Sequence, residues 1–249
     1  MIEVQSLTMH YGNFVALDKV SFQARDHEIL GLLGPNGAGK TTAMRLLTTY
    51  LHPTAGSAKI EGFDILQHPI DVRKHIGYLP ETAPLYSDMQ VEEYLKFVGE
   101  ARGLSGDNLE KRLKWVREAC DIDFIWKHTV SEISKGYKQR VGLAQALIHD
   151  PRVIILDEPT SGLDPIQIIG IRGLIKELAK TKTILFSTHI LQEASAISDR
   201  LFVLNQGRLV AQGTLAELKS AYGKKTEESL EDVFLTIFRK SVRRSDEGS

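Results

Sequence analysis

Apolar and polar residues alternate through "MIEVQSLTMHYG", the two-residue period of a strand with one buried face. Two more strand-like runs follow, "VSFQA" and "EILGLLG", and the second opens into a glycine-rich loop. Beyond it "KTTAMRLLTTYL" has the spacing of a helix. "PTAGSAKIEGFDI" reads as a turn and a short strand, and "HIGYLP" as a strand stopped by Pro80. From about residue 81 to 150 the helical period takes over. Val91, Tyr94, Leu95 and Val98 fall on one face there, and "NLEKRLKWVREACDI" is a second amphipathic run. Strand and helix then alternate again: "RVIILDE", a helix near 165–180, "KTILFSTH", and the short strands "RLFVLNQ" and "RLVAQG". Runs apolar at nearly every position, alternating with helices, predict an α/β fold with a mainly parallel sheet covered on both faces. No internal repeat or low-complexity linker interrupts the pattern.

After the polar "YGKKTEES", Leu230, Val233, Phe234, Ile237 and Phe238 form one apolar helical stripe. It suits a helix packed on the chain's own core, with a docking surface for a partner as the alternative. "RKSVRRSDEGS" is expected to be a mobile tail.

Composition narrows the picture. The 249 residues are 42% hydrophobic and 25% charged, enough for one sizeable core carrying a sub-domain. A net charge of −1 gives no bulk attraction to nucleic acid or an anionic membrane. Cys120 is the only cysteine, which excludes an internal disulfide and fits a reducing compartment. The N-terminus lacks a signal peptide's apolar block, and no apolar run approaches the roughly 18 residues of a membrane helix. The chain is therefore expected to be soluble by itself, with any membrane role reached through a partner.

"GPNGAGKT", residues 34–41, fits the phosphate-loop pattern between a strand and a helix. Its glycines let backbone N–H groups curl around phosphate oxygens while the helix points its positive end at them. Lys40 is expected to reach the β- and γ-phosphates, and Thr41 to place its hydroxyl on Mg²⁺. In "VIILDEPT", Asp157 at the strand end suits an outer-shell Mg²⁺ contact, and Glu158 is the candidate base for the attacking water. A lone histidine is usually a hydrogen-bonded core residue. His189 of "STH", however, ends another apolar strand at the carboxyl edge of the sheet, a position that favours γ-phosphate sensing. One oddity remains in "EISKGYKQRVGLAQAL": Lys135, Lys138 and Arg140 crowd the opening turn of a helix, where the amide dipole is already positive.

The ordered set "GPNGAGKT", "ISKGYKQR", "VIILDEPTSGLD" and "STH" resembles the ATP-binding cassette (ABC) ATPases over nearly the whole chain. The second motif, just ahead of the third, is what separates that family from other phosphate-loop proteins. The resemblance implies a P-loop NTPase fold, with an N-terminal antiparallel β subdomain and an α-helical subdomain at about 82–150 inserted in the core. One such domain would span 1–220, followed by a C-terminal helix and tail over 221–249. ATP and Mg²⁺ are the implied ligands, held by Asn36, Gly37, Ala38, Gly39, Lys40, Thr41 and Thr42. Tyr11 stands where the family stacks an aromatic ring on adenine. Asp164 of "SGLD" stands in the loop that crosses between subunits. The family signature is usually Leu-Ser-Gly-Gly-Gln-x-Gln-Arg; here Ser134 and Gly136 keep the positions used against the γ-phosphate, while Lys135 and Tyr137 depart from it. Glu81 replaces a glutamine that binds Mg²⁺. A signature of this kind closes over ATP held by a second copy, so the basic helix start is an anion site in trans.

The resemblance further implies a second ATP-binding subunit, most simply a homodimer, and an integral membrane permease. "ETAPLYSDMQ" would line the groove for a permease helix, with Tyr86 and Met89 as contacts or as core. "YLPE", "SKGYKQR" and "SLEDVFL" look most like bacterial ABC-2-type exporter ATPases of the gliding-motility-like and multidrug-like groups. That places the chain on the cytoplasmic face of the inner or plasma membrane, held there by the permease, without insertion and without nucleic acid. The competing class is a soluble ABC ATPase acting on ribosomes or DNA. The single cassette, the single cysteine and an insertion of only about seventy residues argue against it.

Overall fold

The computed structural model of the chain describes residues 1–223 and 229–246, with side chains through residue 239. In chain order, β1 (Ile2–Tyr11), β2 (Phe14–Ala24) and β3 (Ile29–Leu33) lead through the glycine-rich loop into α1 (Lys40–Leu47). Next come β4 (Ala55–Ile60), β5 (Phe63–Asp64), α2 (Pro69–His75) and β6 (Ile76–Leu79). Three helices follow, α3 (Val91–Ala101), α4 (Gly106–Ala119) and α5 (Lys135–Leu147). The chain then returns to alternation with β7 (Val153–Asp157), α6 (Pro165–Ala179), β8 (Thr183–Thr188), α7 (Leu191–Ile197) and β9 (Arg200–Asn205). It closes with β10 (Arg208–Gly213), α8 (Leu215–Tyr222) and α9 (Leu230–Asp246).

Two sheets result. One is antiparallel and ordered β2-β1-β4-β5; the other is ordered β10-β9-β3-β8-β7-β6, parallel throughout except where β10 pairs with β9. The near-continuous apolar runs are explained by which layer each residue enters. Val153 and Ile155 of β7 pack toward the antiparallel sheet with Leu17, Met44 and Phe202, whereas Ile154 and Leu156 pack toward the helices with Leu95, Val141 and Leu147. On β8, Leu185 takes the first side, and Ile184 and Phe186 the second. A strand buried on both faces has no place for a polar residue until it ends. Because β3, β6, β7 and β8 all run the same way, their carboxyl ends, followed by the 34–39 loop, Glu81, Glu158 and His189, meet along one edge.

Val233, Phe234 and Ile237 of α9 are buried against Leu33, Ala194, Leu201 and Val203, so the C-terminal stripe covers the chain's own core. The helix also continues to Asp246, through most of the stretch expected to be a tail; the last three residues of that expectation lie outside the described residues. Among the described residues no helix is long and apolar enough to cross a membrane.

His149, just ahead of β7, sets a pH limit on this core. Its Nε2–H donates to the Ile76 carbonyl at 3.0 Å, and burial, with Arg102 nearby, pushes the imidazole from 6.5 down to about 4. Between those values the unfolded chain binds a proton there that the folded chain refuses. Stability is therefore expected to fall as pH drops through the window from 6.5 to 4, by on the order of 3 kcal/mol for this group. Urea midpoints measured across that window check it, and the His149→Gln chain should lose less over the same interval.

Candidate functional site

Lys40 opens α1, and the residue before it, Gly39, has φ of 102°, a left-handed conformation in which a Cβ would collide with the Ala16 carbonyl. The helix start has no side-chain cap and no acidic residue in its first turn, so its amide groups remain available to an external anion. Lys40 is buried, and its Nζ donates to the carbonyls of Gly34 at 2.8 Å and Pro35 at 3.2 Å. The same ammonium lies 3.4 Å from Glu158 Oε1.

The acidic strand end is ordered from below. Ser187 Oγ donates to Asp157 Oδ1 at 2.6 Å and accepts the Glu158 N–H at 2.9 Å, joining the ends of β7 and β8. Asp157 is fully buried, and its Oδ2 has no protein partner. A buried carboxylate oxygen without a donor is costly, and a hydrated divalent cation would satisfy it. Glu158 has φ of 50°, an uncommon left-handed backbone for a non-glycine residue. Its Oε2 accepts from His189 Nδ1 at 3.0 Å, which puts the proton of a neutral imidazole on Nδ1. Tyr78 stands near Asp157, and burial first, then that carboxylate, push its phenol up to about 12.

Tyr11, Asn36, Gly37, Ala38, Gly39, Lys40, Thr41, Thr42, Glu81, Glu158 and His189 together line one cleft of about 530 Å³. The structure thus gathers most of the sequence-derived site, with Asp157 directly behind Glu158. Phe14 and Ser161 also line the cleft and escaped the sequence reading, as did Ser187 and Tyr78 behind it. Phe14 is exposed on the strand that pairs with Tyr11, so a second aromatic within "HYGNF" was the available signal.

Ser134, Gly136 and Asp164 lie outside that cleft. Ser134 is the N-cap of α5, its Oγ accepting the Tyr137 N–H at 3.4 Å. Asp164 caps α6, accepting from the backbone N–H groups of Ile166 and Gln167, both at 3.0 Å. Gly136 is buried, and a Cβ there would strike Gln167, so the signature turn and the start of α6 are pressed together. Gln139 Nε2 donates to the Pro159 carbonyl at 3.0 Å, tying α5 to the loop after Glu158. The crowd of cations at this helix start is partly dispersed: Arg140 turns inward to the Cys120 carbonyl and Asp121, and Lys135 folds back over Gly162. Tyr137 packs against the helical core, which accounts for an aromatic ring where the family pattern has a glutamine.

A glycine-rich loop between a strand and a helix of a parallel sheet, an adjoining acid pair and, outside their cleft, a capped serine turn are the parts of an ATP-binding cassette. A family profile described as ABC transporter matches residues 17–161, and the chain belongs to that family. It is 35% identical over 243 residues to the probable multidrug ABC transporter ATP-binding protein YbhF of Escherichia coli, covering 95% of this chain and 41% of that one. It is 39% identical over 213 residues to the doxorubicin resistance ATP-binding protein DrrA of Mycobacterium tuberculosis, covering 85% of this chain and 64% of the other. The chain therefore spans less than two thirds of either relative's length. A solved structure described as an ATP binding subunit of an ABC transporter superposes with a TM-score of 0.87 at 32% identity, over 96% of this chain and 99% of that one.

Proposed function

We propose that this chain binds and hydrolyses MgATP as the ATPase subunit of a membrane ABC exporter, pairing with a second ATP-binding subunit around two nucleotides. The observation that carries the reading is the division of the site. Lys40, Glu158 and His189 meet in one cleft, while Ser134 and Gly136 lie outside it. That division suits a site completed by another chain's signature turn.

Tyr11 supplies a flat face for adenine, and the amides of residues 36–42 hold the phosphates. Lys40 moves its ammonium from the Gly34 and Pro35 carbonyls toward phosphate oxygen as the loop fills. Thr41, Glu81 and the orphaned Oδ2 of Asp157 are the groups suited to Mg²⁺, which supplies neutralisation of the phosphate oxygens when bound. Glu158 orients and deprotonates the attacking water, and His189 orients Glu158 and faces the γ-phosphate. Asp164, already committed to capping α6, positions the loop that crosses to the second subunit.

The half-exposed Tyr86 meets the rings of Tyr94 and Phe97, each at 5.8 Å, in an aromatic patch on the helical region that suits a permease helix. Met89 packs into the core beside it. The export direction is supported by the relatives named for multidrug and doxorubicin resistance.

The test is a chain carrying Gly37→Cys and Ser134→Cys. Cys120 is buried and its thiol is pushed up to about 12 by that burial, so it stays inert. With MgATP and a hydrolysis-blocked variant, crosslinks between separate chains are expected; monomers alone under those conditions would refute the shared site. Co-purification of a multispanning membrane protein with the tagged chain tests the transporter assignment separately.

A further inference from the structure

Resting on the ATPase reading above, we propose that Glu193 is a positioning residue that holds the Glu158 and His189 loops in register through a single carboxylate oxygen. Glu193 is on α7, 4% exposed, and does not line the cleft. A buried carboxylate in a helix of under two turns is unfavourable unless specific donors satisfy it. Here the donors are informative. Glu193 Oε2 accepts from Thr160 Oγ1 at 2.7 Å and from Thr188 Oγ1 at 2.9 Å.

Thr160 comes two residues after Glu158, and Thr188 immediately precedes His189. Thr188 Oγ1 also accepts the Ile190 N–H at 3.0 Å, so this one hydroxyl brackets His189 on both sides. The Ser161 N–H donates to the Glu158 carbonyl at 3.0 Å, which closes the 158–161 turn around the strained Glu158 backbone. Both loops are thereby anchored to one atom, and the 3.0 Å contact between His189 and Glu158 spans the gap between them. Glu193 Oε1 faces Arg172 of α6 at 3.9 Å, which brings the helix capped by Asp164 to the same acid. A displacement of about 1 Å between such loops costs roughly a hundredfold in rate while leaving the phosphate cradle intact.

Glu193→Ala and Glu193→Gln separate this role from simple packing, because the glutamine amide oxygen can still accept both hydroxyls. In Glu193→Ala the single-turnover hydrolysis rate is expected to fall about a hundredfold, with the dissociation constant for MgATP within about threefold of wild type. The His189 ring resonances of the nucleotide-free chain should move as well, and Glu193→Gln should restore both the rate and the resonances. If Glu193→Ala does not fold, Thr160→Val removes one arm of the bridge at constant shape, and the same fall in rate is expected. A folded Glu193→Ala chain with wild-type turnover and unmoved His189 resonances overturns the proposal, as does a Glu193→Gln chain as impaired as alanine. A wild-type chain that turns over no ATP overturns the ATPase reading instead; the His189 resonances then still decide whether Glu193 sets this geometry.

Discussion

Replacing Glu158 by glutamine is expected to lower ATP hydrolysis about a thousandfold while leaving nucleotide binding nearly unchanged, the range in which a positioned general base usually contributes. The amide keeps the shape of the side chain. Its oxygen can still accept from His189, and its nitrogen removes the carboxylate's basicity toward water. Lys40 loses an ionic neighbour now 3.4 Å away but keeps the Gly34 and Pro35 carbonyls, so the cradle should survive. With binding intact and the chemical step blocked, the γ-phosphate is expected to stay in place and, in the proposed shared site, to keep two subunits joined. Size-exclusion chromatography with MgATP should show a dimer that wild-type chain forms only transiently. Wild-type turnover in this variant would remove Glu158 from the role assigned to it.

Why Glu158 and Lys40 were legible from sequence, and Glu193 was not, follows from how each is specified. Strands such as β7 and β8 announce themselves because burial on both faces makes their central residues, 153–156 and 184–186, apolar without a break. The ionisable residues that end those runs, Asp157, Glu158 and His189, then stand out. The antiparallel pairing of β1, β2 and β4 was less visible, since β2 begins six residues before the run that signalled it. The seven-residue helices α2 and α7 gave no usable period, with one and two buried apolar residues respectively. Ser187, Thr160 and Thr188 look like ordinary strand-end and loop hydroxyls until the three-dimensional fold sets the first on Asp157 and the other two on Glu193. The C-terminal stripe left two readings open, and only its packing on Leu33 and Leu201 chose between them.

Removing the ammonium of Lys40 should cause the opposite failure from removing the basicity of Glu158, although the two groups are neighbours. In Lys40→Met the alkyl stem remains in its buried channel, so packing is nearly conserved and the loss is electrostatic. A charge-assisted hydrogen bond to phosphate is worth about 1.5–3 kcal/mol, so the dissociation constant for MgATP should rise roughly ten- to a hundredfold. Without nucleotide the same substitution strands the Gly34 carbonyl, while Pro35 still accepts the Ala38 N–H at 3.1 Å, and leaves the Glu158 carboxylate with His189 as its remaining neighbour among those described. That should cost a further 1–3 kcal/mol or so of stability in the apo chain. Lys40→Arg should not rescue binding, because a planar guanidinium cannot donate to two carbonyls and a phosphate from the point where the ammonium now lies. Isothermal titration with MgATP decides the matter. Affinity within twofold of wild type in Lys40→Met would mean that the cradle holds phosphate by its amides alone.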